Sequence, residues 1–208
     1  MILSRYTNNY TLSFLKFLLH LRGPSTSVSP PEQRLLSQLA ANRKCIVEVG
    51  VFEGATSQTL CEAMDPSGKL YLVDPFIPEV RVERLLNVSF AQKIAMKAVE
   101  PWRGRLEFVR QPSVEAAASL QLTRQADLIF IDARHDYTSV LEDFRAWAPR
   151  LDKSATMAFH DSRQCPTRPD IGSDDGPVRL MREIERGEHG AWTITAHADS
   201  VTTIQAVS

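Results

Sequence analysis

The sequence predicts an α/β fold with a mostly parallel sheet closed by an antiparallel hairpin and preceded by a helical extension. The prediction rests first on residues 127–161, where the apolar runs Leu128-Ile129-Phe130-Ile131 and 155–159 flank Val140, Leu141, Phe144, Trp147 and Ala148 at helical spacing. Such runs suit strands buried on both faces, and the helix between them suits a parallel crossover. It rests next on the repetition of that unit, since strand and helix patterns alternate through five strands. Finally, 192–195 and 201–205 alternate around a His-Ala-Asp-Ser turn, which reads as a closing hairpin and brings the expected total to seven strands.

Taken in order, 11–21 (TLSFLKFLLHL) reads as an amphipathic helix that packs on the domain or on another subunit. It is too short to span a bilayer, it carries Lys16 and His20, and only Arg5 upstream resembles the charged region of a signal peptide. A Pro/Ser linker follows, and Ser29-Pro30-Pro31-Glu32 is a capping box opening a helix over about 31–41. These segments form an N-terminal helical extension, 1–42. Strand one is Cys45-Ile46-Val47-Glu48-Val49-Gly50, and a helix over 55–64 follows it. Strand two is Leu70-Tyr71-Leu72-Val73, stopped by Asp74-Pro75. Helical patterns occupy 78–87 and 89–102, then come strand three at Leu106-Glu107-Phe108-Val109 and a helix over 112–122. The Pro, Gly, Asp and Arg of 162–177 predict a long loop of the kind that forms a lid or acceptor wall, ahead of a helix over 178–186.

At 208 residues the chain suits one domain with a real core. Its formal charge of −1, with acids and bases interspersed, carries no nucleic-acid footprint. Cys45, Cys61 and Cys165 are odd in number and lack metal-ligand spacing, which suggests structural thiols in a reducing cytoplasm.

Both strands of the 127–161 unit end on one sheet edge, where open parallel sheets bind ligands. Asp132 ends one, and His160-Asp161 ends the other. Two carboxylates meeting there suit a divalent cation, with His160 or water completing the shell. His135, on the loop entering the helix, would hang over the same spot, so that cation and imidazole could share the ionisation of a hydroxyl. A structural reading stays open beside this one, with Asp136 capping the helix, Asp132 orienting a loop and the histidines half-buried.

Glu48-x-Gly50-x-x-x-Gly54 lies between a buried strand and a helix, where nucleotide-type ligands are cradled. Gly50 suits the tight turn, Gly54 a close approach of backbone to ligand, and Asp74 the two ribose hydroxyls. A dinucleotide fingerprint would need glycine where Phe52 stands, which favours a cofactor without a pyrophosphate.

The motifs VEVGVFEGATS, LVDPF, DLIFIDARHDY and AFHD, in this order, resemble those of class I S-adenosylmethionine-dependent methyltransferases. More narrowly, they resemble the metal-dependent sugar and small-molecule O-methyltransferases of the macrocin and mycinamicin type. The resemblance covers roughly 47–185. It implies a Rossmann-like domain over 43–208 in which Glu48, Gly50 and Gly54 shape the methionine and adenosine pocket, Asp74 holds the ribose and Ser113 borders the adenine. It further implies that Asp132, shared with the cofactor site, and Asp161 ligate magnesium, and that His135 is the general base. His160 stands where those sugar enzymes usually carry a carboxylate; as a third ligand it shifts preference towards manganese or another imidazole-tolerant metal. Arg134 would face the acceptor or solvent.

The expected reaction is transfer of the methyl group to a hydroxyl of a sugar, glycoside or related small molecule, in a cytoplasmic homodimer joined through the apolar face of 12–21. A catechol-type O-methyltransferase, a nicotinamide-dependent oxidoreductase and a non-catalytic cofactor-binding protein are the alternatives. His20, His189 and His197, and the indoles of Trp102, Trp147 and Trp192, are expected to pack or face solvent. Asp174 and Asp175 could bind a cation, but their place in a loop equally suits a cap for the helix over 178–186.

Overall fold

The computed structural model describes residues 10–207. Arg5 and the leader-like reading attached to it lie outside them. Seven strands form one sheet in the order β3-β2-β1-β4-β5-β7-β6. The first five, β1 (Cys45–Val49), β2 (Lys69–Val73), β3 (Leu106–Val109), β4 (Ala126–Ile131) and β5 (Leu151–Phe159), run parallel. β6 (Trp192–Ala198) and β7 (Val201–Ala206) form the hairpin, and β7 lies antiparallel to both β5 and β6. The fold is the expected Rossmann-like arrangement.

Alternation along the strands divides the core between two faces. Val47, Val49, Ile129, Ile131 and Phe159 point to one face, where α6 (Ser113–Ser119), α7 (Tyr137–Trp147) and α8 (Gly176–Glu185) cover them. Ile46, Leu70, Leu72, Leu128 and Phe130 point to the other, against α2 (Pro30–Ala40), α3 (Ala55–Ala63) and α5 (Phe90–Ala98). Every residue of β1 and β4 is buried, which is why their sequences read as unbroken apolar runs apart from Glu48 and Asp127.

Several boundaries differ from the sequence reading for identifiable reasons. β5 starts at Leu151, because Asp152, Lys153 and Ser154 are a partly exposed bulge that no apolar-run rule detects. Opposite that bulge, Asp127 turns its carboxylate to the backbone N–H groups of Lys44 and Cys45, at 2.9 and 3.0 Å. The pattern over 89–102 is not one helix: α5 stops at Ala98, and a 3-10 turn, Glu100–Arg105, carries Pro101 at its start. α4 (Arg81–Leu86) ends at Asn87 in the left-handed region, at φ 50°. The hairpin is tighter than expected, with only Asp199 and Ser200 between its strands.

In the extension, α1 (Tyr10–Leu18) buries none of its residues fully; Phe14 stacks on Phe90 of α5 at 4.3 Å between ring centroids. Among the described residues no helix is long and apolar enough to cross a membrane. The capping box is present as expected, Ser29 Oγ accepting from Glu32 N and Glu32 Oε2 from Ser29 N. Cys45, Cys61 and Cys165 are free, buried thiols.

Candidate active site

The carboxyl ends of β1, β4 and β5 are adjacent, and backbone bonds carry the pairing one residue past each strand. Asp132 N donates to Val49 O at 2.8 Å, and His160 N to Ile131 O at 3.0 Å. The three chain segments that leave the sheet there are thereby held side by side. Gly50, at φ +89°, makes this possible: a Cβ on it would lie 2.0 Å from the Asp132 carbonyl oxygen. Gly54, the second glycine of the loop, has a packing role as well. At φ +78° its missing Cβ leaves room for the backbone of α5, since a Cβ there would lie 3.0 Å from Ala95 Cα.

Asp74 ends β2 as expected, and its carboxylate fastens the loop after β1. Oδ2 accepts from Val51 N and Phe52 N at 2.9 and 3.1 Å, and Oδ1 accepts from Phe76 N at 2.7 Å. Glu48, behind that loop, is buried; its Oε2 accepts from Ser57 Oγ at 2.6 Å, while its Oε1 has no partner. Burial pushes its carboxyl up to about 8. An orphaned, buried acceptor beside a glycine turn is the feature a bound donor group, such as the amino group of a cofactor, would satisfy.

In front of this loop lies a cleft walled by Ser25, Thr26 and Ser27 on one side and by Thr56, Asp132 and His135 on the other. The serine-rich wall was legible only as a linker. It is pinned by Glu53, which is 2% exposed and takes a two-pronged pair from Arg22, at 2.5 and 2.8 Å, and a bond from Ser25 N at 2.6 Å. Glu53 and Thr56 sit within the loop motif, but nothing in the spacing marks them.

Asp132, His135, His160 and Asp161 converge at the floor. Asp132 Oδ1 is 3.1 Å from His160 Nδ1 and 3.6 Å from His135 Nε2; Asp161 Oδ1 is 3.3 Å from His160 Nδ1, and its Oδ2 is 3.4 Å from His135 Nδ1. His160 is fully enclosed, and behind it Nε2 faces Glu32 Oε2 at 3.4 Å. These approaches suit ion pairs, yet neither ring nitrogen of His160 has an aligned hydrogen-bond partner. Burial alone would raise Asp132, but the two histidines outweigh it and hold its carboxyl below the usual range. Asp132 in turn raises His135 against the effect of burial.

Asp132, His135 and His160 each offer a ligand atom, all within 4.8 Å of one another. One carboxylate and two imidazoles fit a divalent ion of borderline softness. A carboxylate behind a histidine, as Glu32 stands behind His160, is the usual support of a ligating imidazole. Asp161 stands in this group as expected, but its carboxylate is already engaged. Arg168 Nη1 and Nη2 grip its two oxygens, the second at 3.1 Å.

Ser113 lies at the turn after β3, as expected. It opens α6, and its hydroxyl accepts from Trp147 Nε1 at 2.9 Å, which joins α6 to α7. Asp136 caps α7 by accepting from Ser139 N at 3.1 Å, and Arg134, 78% exposed, pairs with Asp136 in solvent.

The profile of a family described as "Methyltransferase domain" matches residues 47–162. No curated protein matches the sequence. Among solved structures, the chain is similar to cofactor-bound Rv0187 from MTB, with TM-score 0.69 and 19% identity over 94% of this chain and 88% of that one. It is also similar to the O-methyltransferase TomG of Streptomyces achromogenes, involved in tomaymycin synthesis and solved with S-adenosylmethionine, with TM-score 0.65 and 18% identity over 95% and 89%. An O-methyltransferase from Bacillus cereus, in complex with S-adenosylhomocysteine, aligns with TM-score 0.65 and 16% identity over 98% and 93%. At these identities the likeness is one of fold.

Proposed function

The chain belongs to the methyltransferase domain family, and on that premise we propose that it moves the methyl group of S-adenosylmethionine to a hydroxyl of a sugar, glycoside or related small molecule. The observation that carries this reading is the convergence of Asp132, His135 and His160 beside the Gly50 turn, where Glu48 keeps a buried oxygen unpartnered. The cofactor brings an already activated methyl, so the protein's part is alignment and a sufficiently good nucleophile. Glu48 and the turn at Gly50 suit the methionine end, and Asp74 suits the ribose while it fastens the loop. Gly54 supports the pocket from behind, through its contact with Ala95.

His135 is the group placed to take the acceptor's proton. Its ring is 46% exposed at the cleft wall, and Asp132 raises its basicity. Asp132 and His160 would hold a divalent cation, magnesium or the more imidazole-tolerant manganese, which when bound favours ionisation of a hydroxyl. The family places the chain apart from the nicotinamide-dependent alternative. The exposed leucines Leu12, Leu15 and Leu18 of α1 support a homodimer seam, and the free buried thiols support a cytoplasmic setting. The extension 1–42 is read as an appendage of a methyltransferase domain spanning 43–208.

Labelled S-adenosylmethionine, offered with a panel of sugars, glycosides and catechols, tests this reading. Transfer to a polyol hydroxyl, abolished by chelator and restored by magnesium or manganese, is expected. Undiminished transfer in chelator would remove the cation, and transfer confined to catechols would reassign the acceptor.

A further inference from the structure

The grip of Arg168 on Asp161 is unlike anything else at the floor of the site. Both Asp161 oxygens are engaged side-on by the guanidinium, and Ser200 Oγ adds a bond to Oδ1 at 3.3 Å. A carboxylate has about four lone-pair positions, so most of its capacity is used before any cation arrives. Arg168 is itself held from several sides. Its Nε and Nη2 reach Asp170 at 3.0 Å each, and its backbone N–H closes a turn on Cys165 O at 3.0 Å. The guanidinium stays charged at every accessible pH, is only 26% exposed and is weakly hydrated, which makes it a persistent occupant.

Resting on the cation reading above, we infer that Arg168 acts as an internal cation on Asp161, withholding it as a metal ligand and keeping the affinity of the Asp132 and His160 site for divalent ions low. Two effects act together. The fork uses the oxygens a metal would need, and its positive charge lies beside the place a second cation would take. Release of Arg168, which sits in the 162–177 loop bordering the site, would return Asp161 to the donor set. Arg168 is therefore a positioning residue that couples this loop to cation affinity.

Manganese binding to purified full-length protein, read by the electron paramagnetic resonance of free ion, tests the inference without an acceptor. Arg168→Met is expected to tighten manganese on the order of tenfold, the lower end of what outer partners of metal ligands typically change. Asp161→Asn in the intact background should alter affinity by no more than about twofold, and adding it to Arg168→Met should erase the gain. Arg168→Lys, which keeps the charge without the fork and disturbs the loop least, should tighten binding by about threefold, and it serves if the methionine variant does not fold. Unchanged affinity in the Arg168 variants, a tenfold loss from Asp161→Asn alone, or no manganese binding by any variant would each overturn the inference. S-adenosylhomocysteine binding on the same samples separates these failures. If it persists and manganese still binds, only the role of Arg168 falls; if it persists without manganese binding, the cation reading falls as well; if it is absent, the methyltransferase reading falls with them.

Discussion

Replacing His135 by alanine is expected to lower kcat on the order of 10²–10⁴-fold while leaving affinity for S-adenosylhomocysteine within about twofold. His135 lies at the wall of the cleft beside Asp132, and its ring makes none of the bonds that shape the Gly50 loop. Its loss should therefore fall on the chemical step. Because a base must be unprotonated and Asp132 raises His135, activity should decline as pH falls through a value above the ordinary histidine range near 6.5. In His135→Ala that limb of the profile should disappear. An unchanged kcat would remove His135 from the reaction.

The second large effect is on stability. Glu32→Ala is expected to cost about 3–5 kcal/mol, because it leaves His160 enclosed without its rear counter-charge, and to lower Tm by roughly 10 °C. Glu32 is 1% exposed and joins three distant segments: Oε2 accepts from Ser29 N and faces His160, while Oε1 accepts from Ser200 N and Oγ at 2.8 and 2.6 Å. Burial would raise its carboxyl, but His160, Ser200 and Ser29 together bring it down to about 2. Burial would lower His160, but Asp132 and Glu32 raise it to about 10. The share from Glu32 is present in full above its ordinary 4.5 and lost as pH falls through about 2. The share from His160 is present in full below 6.5 and lost as pH rises through about 10. The gap in Tm between wild type and Glu32→Ala should accordingly be widest between pH 4.5 and 6.5, by differential scanning calorimetry. A gap that does not vary with pH would show that Glu32 acts through packing and capping alone.

What the sequence made legible follows the range of each interaction. The buried strands β1 and β4 announce themselves because every position is inward, and the acids at their ends stand where the apolar run stops. Asp132, His135, His160 and Asp161 were recognisable as a group since parallel strands bring their carboxyl ends together. The capping box of Ser29 and Glu32 is a signal within four residues, and it too was visible. Its second duty was not, because Ser200 is 168 residues away and no local pattern encodes the meeting. Arg168 lies in a loop without periodicity, so its fork on Asp161 left no trace in spacing. For the same reason the Ser25–Ser27 wall looked like a linker: the Glu53 carboxylate that pins it is a tertiary partner. Gly54 and Ser113 carry the converse lesson. Both occupy motif positions, and one also makes room for Ala95 while the other accepts from Trp147, packing duties that residue type alone does not announce.

Calorimetric titration of the wild-type protein with S-adenosylhomocysteine tests the central claim most directly. Saturable one-to-one binding, weakened at least about tenfold by Asp74→Ala through loss of both the ribose acceptor and the bonds that fasten the Gly50 loop, is the predicted result. Absence of binding to the folded wild-type protein would contradict the assignment of this cleft to S-adenosylmethionine.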